Sequence, residues 1–349
     1  MSNRRNFLRN SLLGTAAITA APALANERAA NEAAPAAPKS VTEGRPWNEI
    51  VNRNAFKPMP VSCLSYSFNA TVREGMMDIF HYFETCRYRY NIDAADLWNG
   101  MITQVNDDAY IDKVHRALQE RQLVVPGIAA DGAHLISAPT RDTPEDRARL
   151  RGIQDRYMEI CRKWGVGFLR LDAGPLQGGG VANDTKDPWS PADFDYLVRR
   201  YRELAQRAYD WGFMVGNENH FTYSKWWPNM QRLIQAVDHP GFGICVHFGG
   251  WTPNSPETHQ QDNNAADQAA ARWIAHTHIT WEYTESSELL LAKMNMLREA
   301  GYRGYYNAEC HSSQNEHLVT GIMIERIKAV LNSWNIVGPP GYIFPQRNR

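Results

Sequence analysis

From residue 60 onward, short apolar runs of strand length alternate with longer segments in which apolar positions recur every three or four residues. The runs are PVSCLSYSF (60–68), IDAADLW (92–98), LVVPGIAA (123–130), GFLRLDA (167–173), FMVGNENH (213–220), FGICVHF (242–248), IAHTHITW (274–281) and GYYNAEC (304–310). Four of the intervening segments have helix ends that can be named. Residues 143–165 start at Thr143, carry acids in their first turn and stop at Gly165; residues 190–212 start at Ser190-Pro191 and stop at Gly212. Residues 287–301 repeat the scheme with Ser287 and Gly301, and residues 317–334 form the last helical segment. Eight strand–helix units in about 300 residues, with no sign of a second domain, predict one (β/α)8 TIM barrel over residues 47–349. The main rival, a doubly wound sheet, would open with a glycine-rich phosphate turn after its first strand, and YSFNATVREG (66–75) is not one.

The segments before the barrel have a different character. Arg4 and Arg5, then Phe7 and Leu8, lead into a short Ala-rich apolar run that ends in Ala23-Leu24-Ala25, an A-x-A cleavage pattern. Residues 1–25 resemble a twin-arginine export signal, which predicts a periplasmic protein carried across the membrane already folded. Residues 26–46 are rich in Ala, Pro and Glu without apolar period, as expected of a disordered linker. No stretch is long and apolar enough to insert in a bilayer. Net charge is −1 and no basic stripe is visible, which argues against nucleic acid as a partner. The five cysteines (Cys63, Cys86, Cys161, Cys245, Cys310) lack metal spacing, and buried free thiols are expected.

Chemistry concentrates at the ends of the late strands. Glu218, His247, His278 and Glu309 close strands five to eight at intervals of 29, 31 and 31 residues, each about one βα unit. Spacing at the repeat length puts four ligand-type side chains in one ring at one mouth of a barrel. Two carboxylates and two imidazoles suit one divalent ion, with Mn²⁺ preferred, Co²⁺, Fe²⁺ and Zn²⁺ as alternatives, and Mg²⁺ less favoured because it seeks oxygen ligands. His220, His276 and His311 each lie two residues from one of these four, hence on the same strand face, as candidates for substrate contact.

On these motifs the chain resembles the xylose isomerase-like TIM barrels of the sugar phosphate isomerase/epimerase type. Those proteins carry Glu, Asp, His and Glu at the ends of their last four strands around one divalent ion. Glu218 in NENHF, His278 in HTHIT and Glu309 in NAECH match the first, third and fourth positions. His247 in GICVHFGG stands where the pattern has Asp, and HITWEY replaces the usual H-x-K-D. The exchange leaves two carboxylates against a dication, formally neutral, and favours N-binding metals. The resemblance implies that Glu218 and Glu309 act as an acid/base pair on the carbon α to a sugar carbonyl, through an enediolate. Isomerisation, epimerisation, or elimination from a 3-keto-sugar or 3-keto-glycoside would use the same residues.

Tryptophans crowd the loops that follow the strands: Trp98, Trp226 and Trp227, Trp251 and Trp281. Flat aromatic faces stack on the C–H faces of sugars, so Trp98, Trp227, Trp251, Trp281 and Lys225 join the candidate substrate contacts. Asp96, Arg170 and Asp172 are further hydroxyl-binding candidates. No phosphate cradle is present, and the expected substrate is a neutral keto-sugar. A metal-dependent phosphodiesterase would need further ligands on early strands, where only His134 hints at one, and a non-catalytic sugar-binding protein would have no use for the Glu/Glu pair. Barrels of this kind often pair, so a homodimer is an open alternative to a monomer.

Overall fold

The computed structural model describes residues 60–137, 142–175 and 182–337. The expected export signal (1–25) and linker (26–46) lie outside the described residues.

Eight parallel strands pair in chain order, and one principal helix follows each: β1 (Val61–Cys63), α1 (Ile79–Glu84), β2 (Leu97–Trp98), α2 (Asp108–Glu120), β3 (Gly127–Ala129), α3 (Pro144–Trp164), β4 (Phe168–Arg170), α4 (Pro191–Trp211), β5 (Met214–Glu218), α5 (Trp227–Val237), β6 (Phe242–His247), α6 (His259–Ala270), β7 (Ile274–His278), α7 (Ser287–Glu299), β8 (Tyr306–Ala308) and α8 (Glu316–Val337). Strands β2 to β7 form one run and β1 pairs with β8. Single parallel bridges, Leu64 with Asp96 and Ile279 with Ala308, join the two pieces and close the ring. The architecture is a (β/α)8 barrel.

The helix ends follow from local chemistry. Thr143 Oγ1 accepts from the Asp146 N–H at 3.2 Å and Ser190 Oγ from the Asp193 N–H at 3.2 Å, each with Pro as the next residue. Gly165 (φ 69°) and Gly212 (φ 88°) end those helices in the left-handed conformation that a Cβ disfavours. For α7 the cap is Ser286, not the expected Ser287: Ser286 is extended and its side chain accepts from the Leu289 N–H. The strands are shorter than the apolar runs that announce them, because the runs extend into the segments that lead into or out of the sheet.

All five cysteines are buried and unpaired. Burial pushes each thiol up, that of Cys86 to about 12. Among the described residues no helix is long and apolar enough to cross a membrane.

Candidate metal centre

The register that aligns Ala129 with Arg170 and Arg170 with Gly216 sets the top of β3, β4 and β5 at one level; that of Glu218 with Cys245 and His247 with His278 continues it around the barrel. Side chains that end these strands therefore meet. His278 Nδ1 lies 2.7 Å from Glu218 Oε1 and 3.6 Å from Glu309 Oε2. His247 Nδ1 lies 4.0 Å and 3.8 Å from the same two oxygens. Glu309 follows β8 by one residue, and its N–H donates to the Ile279 carbonyl at 2.9 Å, which anchors it beside β7.

The two glutamates are held differently. Glu218 is 1 % exposed, with Oε1 hydrogen-bonded to His278 and Oε2 bound by Arg170 Nη1. Glu309 Oε2 is buried without a hydrogen-bond partner, although His311 Nε2 (3.4 Å), His278 Nδ1 and His247 Nδ1 surround it. A buried carboxylate oxygen with no donor is costly. Adjacent ligands on an ion with bonds of ~2.1 Å stand roughly 3–3.5 Å apart, the scale of these contacts. The donor types suit a divalent ion, and two groups have their ligand atoms within 4.8 Å of one another: Glu218 with Cys245 and His278, and His247 with Glu309 and His311.

Burial alone would raise both carboxylates and lower both imidazoles. For Glu218 the charges of His278 and Arg170 outweigh burial and hold it well below the usual carboxylate range. The charges of His278 and His247 do the same for Glu309. His278 is pushed well up, because Cys245, Glu218 and Glu309 overcome its desolvation, while His247 stays under burial's control and falls.

The other singled-out residues divide into two sets. His220 stands near the centre, its Nδ1 3.5 Å from Glu218 Oε2, and His311 sits half-exposed beside Glu309. Trp281 lines a cavity of about 740 Å³ that opens beside the centre, together with His247, Gly249, Glu282, His311 and Val319. Trp98, the last residue of β2, donates its indole N–H to Asp131 at 2.8 Å and meets Tyr66 edge-on. Two expected substrate contacts, His276 and Trp251, are corrected. His276 is buried in the barrel interior, its Nε2 2.8 Å from Asp96 Oδ2 and its ring stacked on Phe168, so it offers no face to a sugar. Room for this pair exists because residue 127 is glycine: a Cβ there would lie 2.9 Å from His276 Nε2. Trp251 is 2 % exposed and spends its indole N–H on buried Asp267 at 2.8 Å. Trp227 is partly buried and packs on Trp251 and Trp273, against the core. Lys225 is half-buried, and its amine is lowered by burial against the charge of Asp184.

Arg170 and Asp131 carry more of the centre than their sequence context announced. Arg170 is 3 % exposed and contacts Glu218, Asp131, Asp172 and His220. Asp131 was legible only as a polar residue directly after the β3 run, the same strand-end signal that marks Glu218 and His278.

Residues 88–330 match the family described as xylose isomerase-like TIM barrel. The chain belongs to that family. Several solved structures resemble the chain in fold at low sequence identity. They include a xylose isomerase-like TIM barrel protein from Mycobacterium smegmatis in complex with magnesium (14 % identity, TM-score 0.58, covering 80 % of this chain and 97 % of that one). They also include a 3-keto-D-glucoside 4-epimerase from E. coli (16 %, 0.57, 78 % and 99 %) and a probable 3-DHS dehydratase from Bacillus anthracis (13 %, 0.55, 77 % and 98 %). No curated protein matches the chain in sequence. Within the xylose isomerase-like family such likeness establishes the fold and leaves the reaction to the site.

Proposed function

We propose that the protein is a divalent-metal-dependent, exported isomerase or epimerase of a non-phosphorylated keto-sugar, acting by abstraction of the proton α to the carbonyl. The observation that carries this reading is the buried, donor-free oxygen of Glu309 amid three imidazole nitrogens and facing Glu218 across His278. Mn²⁺ is the ion we assign, held by Glu218, His247, His278 and Glu309. When bound, the ion supplies Lewis-acid stabilisation of charge that develops on the sugar oxygens.

The chain's own residues do the rest. Glu218 and Glu309 form the acid/base pair, and Arg170 and His278, which engage both oxygens of Glu218, fix its position. Glu309 takes the α-proton; its return to the neighbouring carbon gives isomerisation, and delivery of a proton to the same carbon from the opposite face, by Glu218 as the second member of the pair, gives epimerisation. Trp281, at the wall of the cavity, can stack on the sugar ring. Glu218 and His278 are each 1 % exposed, which keeps water from their side of the site.

Elimination is the second reading, and one observation favours it. His311 Nε2 lies 3.4 Å from Glu309 Oε2 at the edge of the 740 Å³ cavity, so an acid for a departing β-substituent stands beside the base. The 3-keto-glucoside epimerase and the dehydratase among similar folds are compatible with either outcome.

The test is NMR in D₂O of the Mn²⁺-loaded protein with free and 3-keto sugars. Deuterium entering the α-position supports proton abstraction, and the product then separates rearrangement from elimination. A loaded protein that exchanges no α-proton in any keto-sugar would overturn the reading.

A further inference from the structure

We propose that Arg170 is an internal cation standing where a second divalent ion would bind, and that it limits the centre to one metal. The inference rests on the metal reading given above. It starts from a group of ligands on the early-strand side that the four-residue centre does not use. Asp131, Asp172 and His220 each present one ligand atom within 4.8 Å of the others. Asp172 is 3 % exposed, and its Oδ1 is buried without any hydrogen-bond partner.

The guanidinium of Arg170 lies among these atoms. Nη2 binds Asp131, Nη1 binds Glu218 and stands 3.3 Å from His220 Nδ1, and Nε is 3.7 Å from Asp172 Oδ2. Nε itself makes no hydrogen bond. One planar fork thus faces three carboxylates and leaves an oxygen of Asp172 unserved. Guanidinium geometry suits a coplanar pair of oxygens, whereas a metal ion draws ligands from all sides.

Glu218 links the two halves. Its Oε1 faces His278 and the metal ligands, and its Oε2 faces Arg170. A carboxylate shared in this way between two cationic positions is how adjacent metal ions are bridged. Here one position belongs to the ion and the other to an arginine, which cannot be released or deprotonated. Charge supports the assignment: without Arg170, Asp131, Asp172 and Glu218 would be three negative groups in a confined space, which strongly favours uptake of a cation.

The experiment counts ions in the full-length protein with Mn²⁺ as the only probe, by equilibrium dialysis and metal analysis, with electron paramagnetic resonance as the second readout. The wild-type protein should hold one Mn²⁺ per chain with an isolated signal. Arg170→Met should hold two with a spin-coupled signal, and Arg170→Lys, which keeps a cation, should stay at one. Adding Asp131→Asn to Arg170→Met should return the count to one. Arg170→Met remaining at one ion, or failing to fold at any Mn²⁺ concentration, would overturn the proposal, as would two ions in Arg170→Lys. A wild-type protein that takes up none would instead refute the metal reading itself.

Discussion

Glu218 Oε1 lies 2.7 Å from His278 Nδ1, a contact that joins β5 to β7 over the top of β6. Nothing within either strand requires it; barrel curvature and register bring the two ends together. Because Arg170 holds the other oxygen, Glu218 is locked from both sides.

Glu218→Gln therefore should cost both stability and metal. Arg170 and His278 each lose a buried anionic partner, a change of about 3 kcal/mol. Mn²⁺ affinity should fall at least about 100-fold. Urea unfolding without metal and a Mn²⁺ titration measure the two effects separately.

Glu309→Gln should behave in the opposite proportion. Its Oε2 has no hydrogen bond to lose, so metal-free stability should change less than in Glu218→Gln. Exchange of the substrate α-proton should fall roughly 10²- to 10⁴-fold, the usual worth of a placed general base. Full activity in Glu309→Gln would remove this residue from the base role.

Trp251 and Trp281 separate packing from recognition. Trp251→Phe leaves buried Asp267 without its indole donor and should lose about 1–2 kcal/mol, with sugar binding unchanged. Trp281→Ala removes a cavity wall and should weaken sugar binding roughly tenfold. Thermal melts and ligand titrations that gave the reverse pattern would exchange the two roles.

Lys225 gives a pH signature. Burial lowers its amine, so the folded protein binds fewer protons there than the unfolded chain just below the ordinary lysine value. This group thus disfavours the folded state near neutrality, and the penalty fades as pH rises through that window. Lys225→Met should be at least as stable as wild type at pH 7, with the difference narrowing toward pH ~10. Denaturant midpoints measured across that range check the sign.

The thiols should be silent in the native protein. All five cysteines are buried, with their thiols raised by desolvation. A thiol reagent at pH 8 should react slowly before denaturation and with five groups after it. Fast native labelling of more than one would contradict the packing.

Where the elements lie was legible in the sequence because those signals are local. Thr143, Ser190, Gly165 and Gly212 mark helix ends through bonds to residues three or four away. The successive 29- to 31-residue intervals from Glu218 through His247 and His278 to Glu309 need only a count of repeats to predict a common ring. Other features depend on contacts that no local pattern encodes. Trp251 and Trp281 both follow strands and look alike in sequence, yet the chain turns one into the core and the other toward the cavity. His276 and His278 share a strand face, but two residues of depth put one against Asp96 inside the barrel and the other against Glu218 at its rim.

The sequence by itself determined the eight-fold alternation, the capped helices and the late-strand set of carboxylates and imidazoles, since each rests on neighbours along the chain. Only the tertiary structure decided that Arg170 and Asp131 flank Glu218 and that Glu309 keeps a free oxygen. Those relationships arise from strands β3, β4, β5 and β8 meeting in space, where side-chain direction and burial, not spacing, choose the partners.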